Sequence, residues 1–280
     1  MTLLLPVALL LLGAGDAPER VASVSSSLND YNLSLSDNGR AMVFARSEAD
    51  FRNARIFIAE RRNARAEWPA PAPIAFTDPR WSDSDPWLTP DGGTLYFIST
   101  RPHPARAAGR ADYDIWRSRR ADGGWAAPER LPDSVNSAGQ ELGPELHGGI
   151  LYFASARRSG RGGLDIYRAA AEGNGFAPAA LLDGPFNSAA SDSDFTLSSD
   201  GRLAAFWRGG EAGTARIHIA RRTAAGWSAP EPLPGAINHG PFNFTPSFGR
   251  DGRSLTYAST AARPGQAEGM ADIYRTLLPD

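Results

Sequence analysis

A turn followed by a short apolar run returns five times along this chain, and that repetition limits the fold more than any other feature. Gly39-Arg40-Ala41-Met42-Val43-Phe44 aligns with Gly92-Gly93-Thr94-Leu95-Tyr96-Phe97 and with Gly148-Gly149-Ile150-Leu151-Tyr152-Phe153. Gly201-Arg202-Leu203-Ala204-Ala205-Phe206 and Gly252-Arg253-Ser254-Leu255-Thr256-Tyr257 complete the set. Asn38, Asp91, Asp200 and Asp251 precede four of these glycines, and His147 precedes the other. Asn and Asp tolerate unusual turn dihedrals and Gly supplies φ > 0, so each copy reads as a tight turn entering a strand. A period of about fifty residues means one supersecondary unit used repeatedly.

The second copy shows the whole unit, within residues 82–131. Asp85–Thr89, Thr94–Ser99, Ile115–Ser118 and Trp125–Leu131 are four runs rich in aromatic and β-branched residues, each bounded by Gly, Pro or Asp. The third run recurs as Asp114-Ile115-Trp116-Arg117, Asp165-Ile166-Tyr167-Arg168 and Asp272-Ile273-Tyr274-Arg275. Arg55-Ile56-Phe57-Ile58 and Arg216-Ile217-His218-Ile219 hold the same slot. The fourth run recurs as Trp68/Pro71/Ile74, Trp125/Pro128/Leu131 and Trp227/Pro230/Leu233, with Phe176/Pro178/Leu181 one residue tighter. Proline there indicates an edge strand, because it donates nothing to a ladder.

Five sets of the first three strands are followed by only four fourth strands. The missing one stands at the other end, where Ala17-Pro18-Glu19-Arg20-Val21 matches Ala127-Pro128-Glu129-Arg130-Leu131. The predicted fold is therefore all-β: a five-bladed β-propeller of four-stranded antiparallel blades, closed by the N-terminal strand pairing in the last blade. Residues 16–280 form this single domain, and residues 17–24 pair with 272–277.

Composition removes several kinds of chemistry. All 29 basic residues are Arg and there is no Cys, so lysine Schiff-base, thiol and disulfide chemistry are absent. A net charge of -2 suggests no nucleic-acid partner. Residues 3–12 are apolar and small residues follow; the run is too short to span a bilayer, which needs about 20 residues, so residues 1–15 read as a secretory signal. The expectation is a periplasmic or secreted monomer without stable membrane insertion.

The elements PDGGTLYFIST, DYDIWR and W-x-x-PERL, with DIYR again at 165–168 and 272–275, resemble the WD-repeat-like propeller repeat of TolB-type periplasmic proteins. The resemblance covers nearly all of the chain after residue 15. Arg55 and Arg216 depart from it, standing where the motif has Asp. It implies an exported propeller that binds a protein, a peptide or a cell-wall component, without implying TolB's own partners.

First strands of a propeller are innermost, so their opening residues should converge on one channel mouth. Asn32, Asp85, Glu141, Asp194 and Thr245 align there, with Asp30, Asp83, Gly139, Asp192 and Asn243 two residues earlier. Arg101 and Arg157 form an equivalent pair on the same side, and Arg46 and Arg208 a second. Trp81 and Trp87 flank the acidic run of blade two and do not repeat. The structural reading has Asp and Asn capping turns and Arg tying loops together. The functional reading is a polar, acidic funnel whose binding candidates are Asn32, Trp81, Asp83, Asp85, Arg101, Glu141, Arg157, Asp192 and Asp194. The four His are scattered and no calcium-loop pattern occurs, so neither a metal nor a cofactor is expected.

Two functions compete. One is a non-catalytic binding scaffold, supported by the absence of a G-x-S-x-G nucleophile elbow. The other is a five-bladed glycoside hydrolase of arabinanase type, with Asp85, Glu141 and Asp194 as carboxylates across the sugar.

Overall fold

The computed structural model describes residues 17–104, 112–121 and 123–278. The expected secretory segment, residues 1–15, lies outside the described residues. Five antiparallel sheets follow one another along the chain. Their first strands are Asn29–Leu35, Asp83–Leu88, Glu141–His147, Asp192–Leu197 and Asn243–Phe248. The second strands are Ala41–Ser47, Thr94–Ser99, Ile150–Ser155, Leu203–Gly209 and Ser254–Ser259, and each begins after a positive-φ glycine turn. The third strands are Arg55–Glu60, Asp114–Ala121, Asp165–Glu172, Ala215–Thr223 and Asp272–Leu277.

The ring closes as the repeat count requires. Glu19–Arg20 pairs antiparallel with the last third strand, Glu19 opposite Arg275 and Arg20 opposite Tyr274. The Val21 N–H adds a bond to the Ile273 carbonyl at 2.8 Å. Closure is also a packing fact. One apolar cluster joins Val24, Leu33, Met42 and Phe44 to Ile273, bridging blade one to blade five. Four comparable clusters join blades one and two, two and three, three and four, and four and five. Second strands lie between neighbouring blades, so they read as near-continuous apolar runs rather than alternating ones. The Ile of the third-strand motif is core throughout: Ile56, Ile115, Ile166, Ile217 and Ile273 are at most 1% exposed.

The outer strands differ from the single run expected at 125–131. Gly124–Trp125 extends a hairpin with the end of the third strand, while Glu129–Arg130 pairs separately with Trp116 and Arg117. Blades three and four are split the same way. In blade two, Pro128 precedes the second piece and supplies no ladder donor. The recurring Trp is held beneath a guanidinium: Arg61 stands 4.0 Å from the Trp68 ring, Arg120 4.5 Å from Trp125 and Arg222 5.0 Å from Trp227.

A second repeated tether carries no sheet pairing. Asn136 accepts from the Ile115 N–H at 2.7 Å and donates to the Ile115 and Leu131 carbonyls. Asn187 does the same with Ile166 and Leu182, and Asn238 with Ile217 and Leu233. Each side chain ties a loop to the sheet it has just left.

Candidate functional site

Every first strand carries a bulge, and the bulge organises the channel. The ladder register shifts between Tyr31 and Ser34, Ser84 and Trp87, Leu142 and Glu145, Ser193 and Thr196, and Phe244 and Ser247. The residue after the first of each pair has a left-handed backbone: Asn32 (φ 52°), Asp85 (47°), Gly143 (53°), Asp194 (55°) and Thr245 (50°). Asn, Asp and Gly tolerate this region, whereas the β-branched Thr245 is a true exception. The five residues line the central channel together.

This register moves one sequence expectation. Gly143, not Glu141, is the blade-three partner of Asn32, Asp85, Asp194 and Thr245. Glu141 falls instead with Asp30, Asp83, Asp192 and Asn243, because Glu141 stands opposite Ser155 as Asp83 stands opposite Ser99.

That outer set forms four buried locks. Asp30 accepts from Arg46 Nε at 2.6 Å, Asp83 from Arg101 at 2.7 Å and Asp192 from Arg208 Nε at 2.5 Å. Glu141 lies 3.4 Å from Arg157 and takes both the N–H and hydroxyl of Ser137. Ser26 and Ser188 cap Asp30 and Asp192 in the same way. Each guanidinium also lies over a second-strand ring, Phe44, Phe97, Phe153 or Phe206. A planar cation that pairs with a carboxylate and stacks on a ring explains the use of Arg. Burial raises the carboxyl pKa of Asp30, Glu141 and Asp192, and pushes Asp83 up to about 6, against the pull of Arg101. Blade five replaces the ion pair with Asn243, which accepts from the Ser259 hydroxyl.

The inner ring interlocks blade to blade. Asp85 accepts the Gly143 N–H at 2.9 Å, Asp194 the Thr245 N–H at 3.1 Å, and Thr245 Oγ1 the Asn32 N–H at 3.3 Å. Asp194 also takes the indole N–H of Trp207 at 2.7 Å. No Arg pairs with Asp85 or Asp194 among the described residues, unlike the four locks. Burial raises both carboxyl pKa values, and the charge of Asp85 raises Asp194 further. Below the ring the channel narrows to about 30 Å³, room for water and little more. There Glu145, half-buried in the channel wall, accepts from Thr196 Oγ1 and the Leu197 N–H, and loss of solvent around it pushes its carboxyl up to about 8.

Above the ring a recess of about 520 Å³ opens onto the face carrying the second-to-third-strand loops. Six aromatic rings line it beside polar side chains such as Asn53, Thr100 and Gln140. Phe51 meets Tyr31 and Phe244 edge-on at 5.3 and 5.4 Å, and Phe242 packs between Phe244 and Trp207 at 4.9 and 5.4 Å. Tyr113 completes the wall, and Asp85 and Asp194 lie at the base. Phe51 reaches this place through a tight loop in which Asp50, Phe51 and Asn53 all have positive φ.

Of the expected candidates, the structure brings Asp85 and Asp194 to the recess and Asn32 to the channel beneath it. Asp83, Arg101, Glu141, Arg157 and Asp192 lie in the locks. Trp81 sits outside the recess lining, beneath the Arg80 guanidinium, and Trp87 lines the channel and packs on Tyr96. Among the third-strand Asp residues, Asp165 caps the Arg161 and Gly162 N–H groups, whereas Asp114 pairs with Arg130 and Asp272 with Arg263. No cluster of metal-ligating side chains occurs among the described residues. The aromatic wall was the part the repeat alignment missed. Its one visible signal was the pair Phe242 and Phe244 flanking Asn243.

No protein-family model and no curated protein matches the sequence. Solved structures do match the fold. TolB from Acinetobacter baumannii aligns over 92% of this chain with 15% identity and a TM-score of 0.50. The chain spans 57% of the length of that protein. An α-L-arabinofuranosidase from Lactobacillus brevis aligns over 91% of this chain and 92% of its own, with 13% identity and a TM-score of 0.60. A GH62 hydrolase in complex with xylotriose aligns over 94% and 95%, with 11% identity and a TM-score of 0.51. The chain is thus a five-bladed propeller with TolB-like and glycoside-hydrolase neighbours in shape, and at these identities the likeness concerns fold alone.

Proposed function

We propose that this protein is an exported propeller that binds a ligand, without turning it over, in the recess above its carboxylate ring. One observation carries the reading: six aromatic side chains enclose a recess of about 520 Å³ over Asp85 and Asp194. That size and character suit a binding site, where apolar walls supply affinity and a few polar groups set orientation. Both carboxylates already hold backbone N–H groups of the next blade. This favours a structural floor that reads a ligand over a pair free to exchange protons with one. Export rests on residues 3–12, and the TolB-like shape agrees with a role in the cell envelope.

The test is ligand-observed NMR on the full chain with a mixed panel of short peptides and oligosaccharides. Binding is expected, and Phe51→Ala weakens it about tenfold by removing one aromatic wall. Silence across the panel, or binding indifferent to Phe51→Ala, overturns the proposal.

A second reading is favoured by Asp85 and Asp194, whose carboxyl pKa values burial raises, with the charge of Asp85 raising Asp194 further. A carboxyl group kept protonated beside an ionised one is the requirement for acid–base cleavage of an acetal. In this reading Asp85 and Asp194 act without Glu141, which is committed to Arg157. Release of sugar from arabinan or xylan, abolished by Asp194→Asn, would establish it.

A further inference from the structure

We infer that the recess recognises an organic cation, an ammonium or guanidinium group seated between the aromatic wall and the Asp85–Asp194 floor. The inference rests on the binding reading above and adds the chemistry of the ligand.

The argument begins with a contrast inside one molecule. In four blades the buried lock acid has its own Arg within 3.4 Å. Asp85 and Asp194 are also nearly buried, 8% and 9% exposed, yet no Arg meets either of them among the described residues. Burying two carboxylates near one another without a counter-charge is unfavourable. Hydrogen bonds meet part of that demand. Asp85 Oδ2 takes the Gly143 N–H, and Asp194 Oδ2 takes Thr245 and Trp207. The other oxygen of each receives one serine hydroxyl, from Ser84 at 3.0 Å and from Ser193 at 3.2 Å. A carboxylate oxygen has two lone pairs, so acceptor capacity remains on both.

The rest of the recess decides which cation fits. A bare calcium ion takes 6–8 oxygen ligands converging on one point, and no group of three or more acidic or His side chains placed to hold a metal occurs among the described residues. Aromatic faces attract an organic cation, and the attraction grows when water is excluded. Asp50 and Arg52 at the rim carry opposite charges, so the floor supplies the net negative field. The narrow channel below closes the site, so the occupant enters from the loop face alone.

Two matched pairs of probes test this on the full chain by calorimetry. One is benzyltrimethylammonium against benzyl alcohol. The other is N-acetyl-Phe-Arg-amide against its citrulline analogue, which has the same shape and no charge. The cationic member of at least one pair is expected to bind about tenfold tighter or better, a preference lost in Asp194→Asn. The pair that shows it tells a small cation from a peptide side chain. The wild-type comparison needs no variant, so it stands even if Asp194→Asn fails to fold. Equal or better binding of the neutral member in both pairs overturns the inference. Silence from all four probes, with oligosaccharide or neutral peptide still bound, overturns it and leaves the binding site standing. Silence from every probe overturns both.

Discussion

At Gly143 a Cβ would stand 2.5 Å from Asp194 Oδ1 and 3.2 Å from Asp194 Cα. The same left-handed backbone is borne by four non-glycine residues in the ring, so dihedral strain alone does not demand glycine here. Close approach of the Asp194 carboxylate does. Gly143→Ala is therefore expected to destabilise the fold by about 2–3 kcal/mol, combining left-handed strain with displacement of a buried carboxylate. Urea denaturation measures it, and a loss below about 0.5 kcal/mol would show that the ring has slack. This position also shows where reading by residue stops. Glu141 is acidic and close by in sequence, so it looked like a ring member. The bulge is common to all five first strands; what displaces Glu141 is the blade-three turn, where four residues separate Leu146 from Leu151 against six between Leu88 and Leu95.

The closing strand is two residues long, yet it covers the open edge of the last sheet. Without it, Asp272–Leu277 would present unpaired N–H and C=O groups, a template for another chain. A chain beginning at residue 25 is expected to melt at least several degrees lower and to self-associate. Size-exclusion chromatography with thermal melting checks this, and a monomer of unchanged stability would show that the strand is dispensable. Closure was legible beforehand because Ala17–Val21 repeats the motif of Ala127–Leu131. The splitting of the outer runs of blades two, three and four was not. The Trp-containing run reads as one strand, and only its pairing shows that two short pieces meet different parts of the third strand.

At the scale of the molecule, carboxyl groups whose pKa is raised outnumber those whose pKa is lowered among the described residues, and this sets the dependence of stability on pH. Burial raises Asp83 to about 6 and Glu145 to about 8, and raises Asp30, Asp85, Glu141, Asp192 and Asp194 as well. Each binds its proton more tightly folded than unfolded. Its contribution is complete below the ordinary carboxyl pKa and is lost as pH rises through the folded value. Asp78, brought down to about 2 by Arg80, acts oppositely, as do Asp91, Glu129 and Asp200 with their hydrogen-bond donors Thr89, Arg117 and Ser198. Their contribution disappears as pH falls below about 4. His218, lowered by burial, alone favours rising pH near neutrality among the shifted His. The melting temperature is expected to peak at about pH 4–5 and to decline toward about pH 8. Scanning fluorimetry from pH 3 to about 8 tests it, and Glu145→Gln should flatten the upper part. A melting temperature that climbs steadily from pH 5 to 8 would contradict the balance.

The amino-acid order alone determined the number of blades, their strand order and the closing partner, because turns and apolar periods are local and recur at fixed spacing. Folding decided which acids meet. Asp83 and Asp85 are two residues apart, yet one is bound to Arg101 and the other faces an aromatic recess beside Asp194 of a blade across the channel. The wall over them comes from Tyr31, Phe51, Tyr113, Trp207, Phe242 and Phe244, contributed by four blades. Such convergence depends on bulges and ring geometry at long separation, and no local pattern encodes it.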